Sequence, residues 1–336
     1  VYIDDKFESL TIDQAFEFML NPNLSRNLGY RDNINILPTR KIIVPIDYDA
    51  VVAAGFKPTA ADMDTTGVNK LKPMVLEFKS DKNYLGKQDL FILDLIRSNK
   101  DWKTPIYFAV TVGGESYSEF ESFEQRVENG RKFVDQNGKP VMEEYSYLRL
   151  EGMGYRVTPF KRIDAIETNV MYDNMMNKFA WGNVKDPNTY MDENAMRMGK
   201  TFRHMFLRLA DGLIREGKKD SAIAVLDKCM EELPTYNVYA DYSNVRISNM
   251  YLALGETEKG KNLRNEITTT CKQYQKWFNN LSENQKKSAS NDVAQYWSMY
   301  DSLNEAAKMA GDKEYSDANT QAVNDFYREL SKYFKR

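Results

Sequence analysis

The hydrophobic period of this 336-residue chain changes near Thr168, and that change restricts the fold more than any single motif. Before it, short runs of β-branched and aromatic residues are interleaved with helical patterns. After it, apolar residues recur at a spacing of about 3.6 and no strand pattern returns. A sheet buries one face and a helix one stripe, so the change separates two cores. The expected fold class is α+β. An N-terminal α/β domain with a small mixed sheet spans 1–165, with an inserted segment at about 118–143, and an all-α tetratricopeptide-like helical-repeat domain spans 166–336.

In the first half, "TIDQAFEFML" opens a helix. Thr11 and Gln14 form a capping box, and Ile12, Ala15, Phe16 and Met19 line one face. "RKIIVPID" (40–47) and "PMVLEFK" (73–79) are short strands, with Pro45 marking an edge or a strand end. Leu90, Ile92, Leu93 and Ile96 repeat at helical spacing up to Ser98. "PIYFAVTV" (105–112) reads as an interior strand, so strand, helix and strand in that order predict a right-handed parallel crossover. "SEFESFEQRVENGRKF" in the insertion reads as a charged helix, Asn137-Gly138 as a hairpin turn, and "YLRLEGMGYRVTPF" (147–160) as a last strand.

The second half predicts three helical hairpins. In the first, Phe206, Leu209, Ala210 and Leu213, then Ala222, Leu226 and Pro234, fill the positions of a tetratricopeptide pattern, and Gly217 falls in the turn. Small residues at Ala210 and Ala222 let two antiparallel helices approach while large ones fill the remaining space. Ile247, Tyr251, Gly255 and Gly260 occupy equivalent places in the second hairpin, and Gly311 turns the third. Three hairpins are about the number such an array needs for stability. The first helix of a hairpin lines the concave side, which makes His204, Leu207, Asp211 and Arg215 candidate binding residues. A second candidate edge is "NVMYDNMMNKFAWGN". Met171, Met175 and Phe179 share a helical stripe there, leaving Tyr172, Asp173, Asn177 and Trp181 on other faces. The alternative for that stretch is a structural junction between the halves.

Several classes of chemistry find no support. His204 is the single histidine, which removes His-based triads, two-His metal sites and HExxH hydrolases. Cys229 and Cys271 form no CxxC pair, so zinc is not expected, and both a disulfide and two core thiols stay open. Gly113-Gly114 and Gly152/Gly154 lack the spacing and the following helix of a phosphate cradle and read as turn glycines. Asp62/Asp64 and Glu143/Glu144 are paired carboxylates, but adjacency in sequence does not set the separation that glycosidase chemistry needs. The expectation is no cofactor, no metal and no catalytic residue in this chain. A net charge of -3 provides no field for nucleic acid. No apolar run reaches the roughly 20 residues of a membrane span. The start, "VYIDDKFESL", has neither Met nor a signal core, and is expected to continue from a longer protein.

Six stretches, in order, carry a resemblance: "LPTRKIIVPID", "NYLGKQDLFILDLI", "WKTPIYFAVTVG", "LEGMGYRVTPFK", "MYDNMMNKFAWGN" and "REGKKDSAIAVLDKCME". Over roughly 34–260 the chain resembles the C-terminal soluble region of a bacterial family of large membrane proteins. That family is similar to protein O-mannosyltransferases and ends in tetratricopeptide-like helices. The resemblance implies a non-catalytic extracytoplasmic region on the periplasmic side of the inner membrane, tethered to its own N-terminal membrane domain. Its partner would be a polypeptide acceptor or another protein. In such transferases the donor is lipid-linked and the catalytic acid lies between early membrane helices, so no catalytic residue carries over. The rival reading is a free-standing periplasmic or surface glycan-binding protein of helical-repeat type.

Overall fold

The computed structural model describes residues 1–30, 32–128, 131–163 and 166–334. The backbone forms two compact units, Val1–Glu167 and Thr168–Arg336. Positions 164 and 165, beside the expected division, lie outside the described residues.

The first unit runs β1 (Tyr2–Ile3), β2 (Leu10–Thr11), α1 (Ile12–Leu20), α2 (Leu24–Asn27), β3 (Ile36–Leu37), β4 (Lys41–Val44), α3 (Tyr48–Ala53), β5 (Met74–Glu77) and α4 (Lys87–Ser98). It continues through β6 (Tyr107–Ala109), β7 (Glu121–Gln125), β8 (Val127–Glu128), β9 (Arg131–Lys132), β10 (Met142–Leu150) and β11 (Gly154–Ile163). The strands form small sheets: β1-β3, the mixed β2-β4-β5, β6-β11-β10-β7, and β8-β9. The predicted capping box starts α1, where the Gln14 amide N–H donates to Thr11 Oγ1 and the Thr11 N–H donates to Gln14 Oε1. Ile12, Phe16 and Met19 of α1, Ile42 and Leu76 of the mixed sheet, and Leu93 and Ile96 of α4 belong to one buried cluster.

Four expectations for this half need correction. The 105–112 run is not an interior strand. Only Tyr107–Ala109 pair, at a sheet edge beside β11, with Phe108 buried and its two neighbours exposed. The parallel crossover is absent, because β5 and β6 belong to different sheets and the parallel pairs are β1–β3 and β2–β4. The insertion is not helical: Glu121–Gln125 pair antiparallel with β10, where Phe123 opposes Glu144, and Lys161 ties Glu124 to the sheet at 2.8 Å. Positions 129 and 130 within it lie outside the described residues. The last strand is two, β10 and β11, joined by a turn in which Gly152 has φ +136°. In the first three cases the pairing of strands distant in sequence outweighed a local pattern, and in the last a tight turn divided one run into a hairpin. The Asn137-Gly138 turn forms as expected, with the Gly138 N–H donating to the Asp135 carbonyl.

The second unit is helical: α5 (Thr168–Asp173) running into a π turn at Asn174–Lys178, then α6 (Glu193–Arg215), α7 (Lys219–Glu232), α8 (Tyr242–Leu254), α9 (Thr257–Asn279), α10 (Glu283–Met309) and α11 (Lys313–Leu330). The chain is therefore α+β with a helical second unit. Three hairpins, α6/α7, α8/α9 and α10/α11, turn at Gly217, Gly255 and Gly311, whose φ values of +75°, +94° and +74° suit glycine. Successive hairpins pack through α6 on α8 and α8 on α10. Ala210, Ala222, Phe206 and Leu226 are fully buried between α6 and its neighbours. A Cβ on Gly260 would lie 2.6 Å from Leu252 Cγ, so α8 and α9 approach too closely for a side chain there. Cys229 and Cys271 are free buried thiols, each pushed up to about 12 by burial.

Arg203 is the largest fully buried side chain. Its Nη2 donates to the carbonyls of Leu233 (2.9 Å) and Val238 (2.7 Å), its Nη1 to that of Tyr239, and Asp241 balances the charge at 3.6 Å. The guanidinium thereby ties α6 to the connector between α7 and α8. A buried cation holds only while its partners remain, and removing one side of such a pair costs roughly 3–5 kcal/mol. Arg203→Met is therefore expected to lower unfolding free energy by about that amount, measured by urea denaturation. Arg203→Lys, which keeps charge but not the fork, should lie between variant and parent.

Candidate functional site

Asp192 caps α6 by accepting the Ala195 N–H at 2.7 Å, which fixes where the helix begins and which residues face outward. Of the four candidates on α6, Leu207 is fully buried beside Arg203 and is corrected to a core residue. The periodicity could not separate an outward from an inward position one step away from the Arg203 face. His204 and Arg215 are exposed, and Asp211 is half-exposed. Arg246 of α8 reaches across to Asp211 at 2.5 Å, and the Tyr242 hydroxyl meets Ser302 of α10 at 3.4 Å. Partial desolvation of the ring, then the charges of Arg208 and Arg246, shift the His204 imidazole downward and favour its neutral form, which can both donate and accept. Tyr239 and Tyr242 are 53% and 52% exposed. His204, Asp211, Tyr242 and Arg246 thus form a polar and aromatic face across consecutive first helices. Tyr239, Tyr242 and Arg246 had no signal at the level of single-helix spacing, because they join the face only when hairpins stack.

The second candidate set is not joined to this face. Trp181 stacks on Phe206 with ring centres 5.3 Å apart and meets Phe202 edge-on at 5.3 Å. Phe202 and Phe206 lie about 200° around α6 from His204, so Trp181 packs on the opposite side of the helix. Met171 and Met175 are buried, whereas Phe179 follows the π turn and joins Trp181 in the aromatic cluster. Asp173 accepts from Asn177 at 2.9 Å and pairs with Lys178 at 2.6 Å, a local network on the surface. Tyr172 is half-buried.

A cleft in the first unit was not foreseen. Arg40 Nη1 donates to the carbonyls of Lys79 (2.7 Å) and Lys82 (2.8 Å), and the Ile3 N–H donates to the Asn83 carbonyl at 3.0 Å, which fixes the loop before α4. Asp89, buried in the first turn of α4, accepts from the Gly86 N–H at 2.7 Å and from Lys82 Nζ at 2.9 Å. Opposite it, the Gly113-Gly114 turn delivers Glu115 and Ser116, and the following turn buries Glu119 to 2% exposure. Both Glu119 carboxyl oxygens lack a hydrogen-bond partner. Burial pushes its carboxyl up to about 7, with Asp89 adding to the rise and Lys82 and Lys79 opposing it. In the sequence the Gly113-Gly114 pair reads as a turn and the 118–133 stretch as a charged helix, which left Glu119 unremarked.

Among the described residues no group of three or more His, Cys, Asp or Glu could hold a metal ion, and no helix is long and apolar enough to cross a membrane. The raised Glu119 carboxyl makes folding bind a proton between about pH 4.5 and 7, so its stabilising contribution is complete below the unfolded value and is lost as pH rises through the folded one. Glu119→Gln is expected to stabilise the chain at pH 8 by on the order of 2–3 kcal/mol and to change little at pH 4.5, read as urea midpoints at both values.

Residues 2–130 match the family described as TMEM260-associated domain 2. No curated protein and no solved structure matches the chain. The matched span contains "LPTRKIIVPID", "NYLGKQDLFILDLI" and "WKTPIYFAVTVG", three of the stretches that carry the resemblance, and relates the N-terminal unit to a membrane glycosyltransferase-like protein.

Proposed function

We propose that the chain is the non-catalytic extracytoplasmic region of a membrane glycosyltransferase-like protein, on the periplasmic side of the inner membrane, and that its helical unit recognises a polypeptide acceptor or protein partner. The observation that carries the recognition role is the face spanning α6, α8 and α10. It combines the His204 imidazole, a half-exposed Asp211–Arg246 pair and two tyrosines more than half exposed. Tyrosine and arginine are enriched among the residues that dominate protein recognition: tyrosine buries a large amphipathic ring with few rotatable bonds, and arginine presents a planar fork of five donors. Stacked hairpins of tetratricopeptide-like type offer such residues as one extended surface, which suits an unfolded or loop segment better than a compact small molecule. The match over residues 2–130 supports the link to a glycosyltransferase-like protein.

The test uses the full-length membrane protein carrying Tyr239→Ala, Tyr242→Ala and Arg246→Ala together. Loss of one hot-spot side chain costs about 2 kcal/mol, roughly thirtyfold in affinity, so acceptor glycosylation at limiting acceptor is expected to fall by at least that factor. Binding of the lipid-linked donor should be unchanged. Glycosylation at the parental rate by the triple variant would remove the reading.

A further inference from the structure

A second pocket in the first unit lies where α1 begins and where β4 and α4 end. It has a volume of 290 Å³, at the small end of the range for ligand sites. Its floor is apolar: Ile12, Val44 and Ile96 are buried there beside Trp102, which is 5% exposed. The floor is held in place by the chain itself. The Trp102 N–H donates to the Asn99 carbonyl at 3.0 Å, and the Asn99 side chain clasps Thr104, accepting its N–H at 3.2 Å and donating to its carbonyl at 2.8 Å. This turn keeps Trp102 at φ +55°, a left-handed conformation that strains a bulky residue. A buried tryptophan usually finds an acceptor for its indole N–H. That of Trp102 has none among the described residues, yet it is not cut off from solvent as those of Trp181 and Trp297 are. The small accessible part of this side chain therefore carries its one donor, at a pocket the residue lines.

The rim decides what a ligand must carry. Asp13, in the first turn of α1, accepts from Arg97 Nε at 2.7 Å through one oxygen and from Lys100 Nζ at 3.1 Å through the other. Both of its oxygens are engaged, whereas a guanidinium has five N–H donors and an ammonium three, so Arg97 and Lys100 keep donors to offer. Asn99 is occupied by Thr104. Asp47 accepts the Ala50 N–H at 2.7 Å through Oδ1, which leaves a single carboxylate oxygen of the rim without a partner among the described residues. Unengaged donors thus outnumber unengaged acceptors, and the start of α1 adds the positive end of a helix dipole. The head of a ligand must accept hydrogen bonds and carry negative charge, and its body must be apolar. A carboxylate meets the first requirement and matches the planar fork of Arg97.

We propose that this pocket binds a small apolar monocarboxylate. The site lies in the first unit and does not rest on the recognition role assigned to the helical face. The experiment titrates the purified chain with hexanoate and phenylacetate, followed by ligand-observed NMR. Acetate, hexan-1-ol and hexylamine serve as probes that lack the apolar body, the charge or its sign. Saturable binding of at least one of the two apolar carboxylates is expected. Each methylene laid on the floor is worth about fourfold in affinity, so acetate should bind at least about tenfold more weakly than hexanoate. The alcohol and the amine should be weaker by a similar factor. Trp102→Phe, which keeps a ring and removes the donor, should weaken carboxylate binding about tenfold, the loss of one hydrogen bond to a charged group. Lys100→Gln, at a side chain 68% exposed, should weaken it about threefold, the loss of one screened charge. Circular dichroism verifies that both variants fold. No saturable binding of either apolar carboxylate overturns the proposal. So does equally tight binding of any of the three control probes, or carboxylate binding that survives both substitutions.

Discussion

A buried guanidinium organises the helical unit. Arg203 spends three hydrogen bonds on carbonyls of Leu233, Val238 and Tyr239, which belong to a connector with no regular structure of its own. Those carbonyls would otherwise be buried without donors, and an arginine without them would be an uncompensated interior charge. Each side of the arrangement is costly alone, so the two are locked together. The connector then has a defined path, and that path determines where Tyr239 stands and how Asp241 caps α8, accepting the Ser243 N–H at 2.9 Å. The exposed face across α6, α8 and α10 is therefore a consequence of a contact in the interior.

The cleft beside α4 follows the opposite logic. The helical unit gives the terminal nitrogens of its buried arginine neighbouring carbonyls, whereas neither carboxyl oxygen of Glu119 has a partner and its carboxyl is raised to about 7. Two surfaces of different character result. One is extended, aromatic and charged, the surface proposed to meet a polypeptide. The other is an open groove, near-neutral and rich in hydrogen-bonding groups.

Local signals were legible where the structure is local. The capping box at Thr11, the α4 stripe and the three turn glycines Gly217, Gly255 and Gly311 were each readable, because a cap or a left-handed turn depends on a few adjacent residues. What failed depended on partners far away in sequence. "PIYFAVTV" has the composition of an interior strand, but β11 covers only one of its edges. The 118–133 stretch has helical charge spacing, but β10 recruits Glu121–Gln125 into a sheet. The same limit governs the sites. His204 and Asp211 were found from helix geometry, Leu207 was misplaced by one position around the helix, and Arg246 and Tyr239 could be found only once hairpins were stacked. Glu119 was invisible because burial, which gives it its chemistry, is a property of the fold.

The central claim is that the face displayed by the Arg203-held connector contacts the polypeptide on which the parent protein acts. Site-specific photo-crosslinking from position 239 of the full-length protein in its membrane tests this most directly. The account predicts a covalent adduct between this position and the glycosylated acceptor, competed away by excess unlabelled acceptor. An acceptor that is glycosylated normally while no adduct forms from position 239 would contradict it.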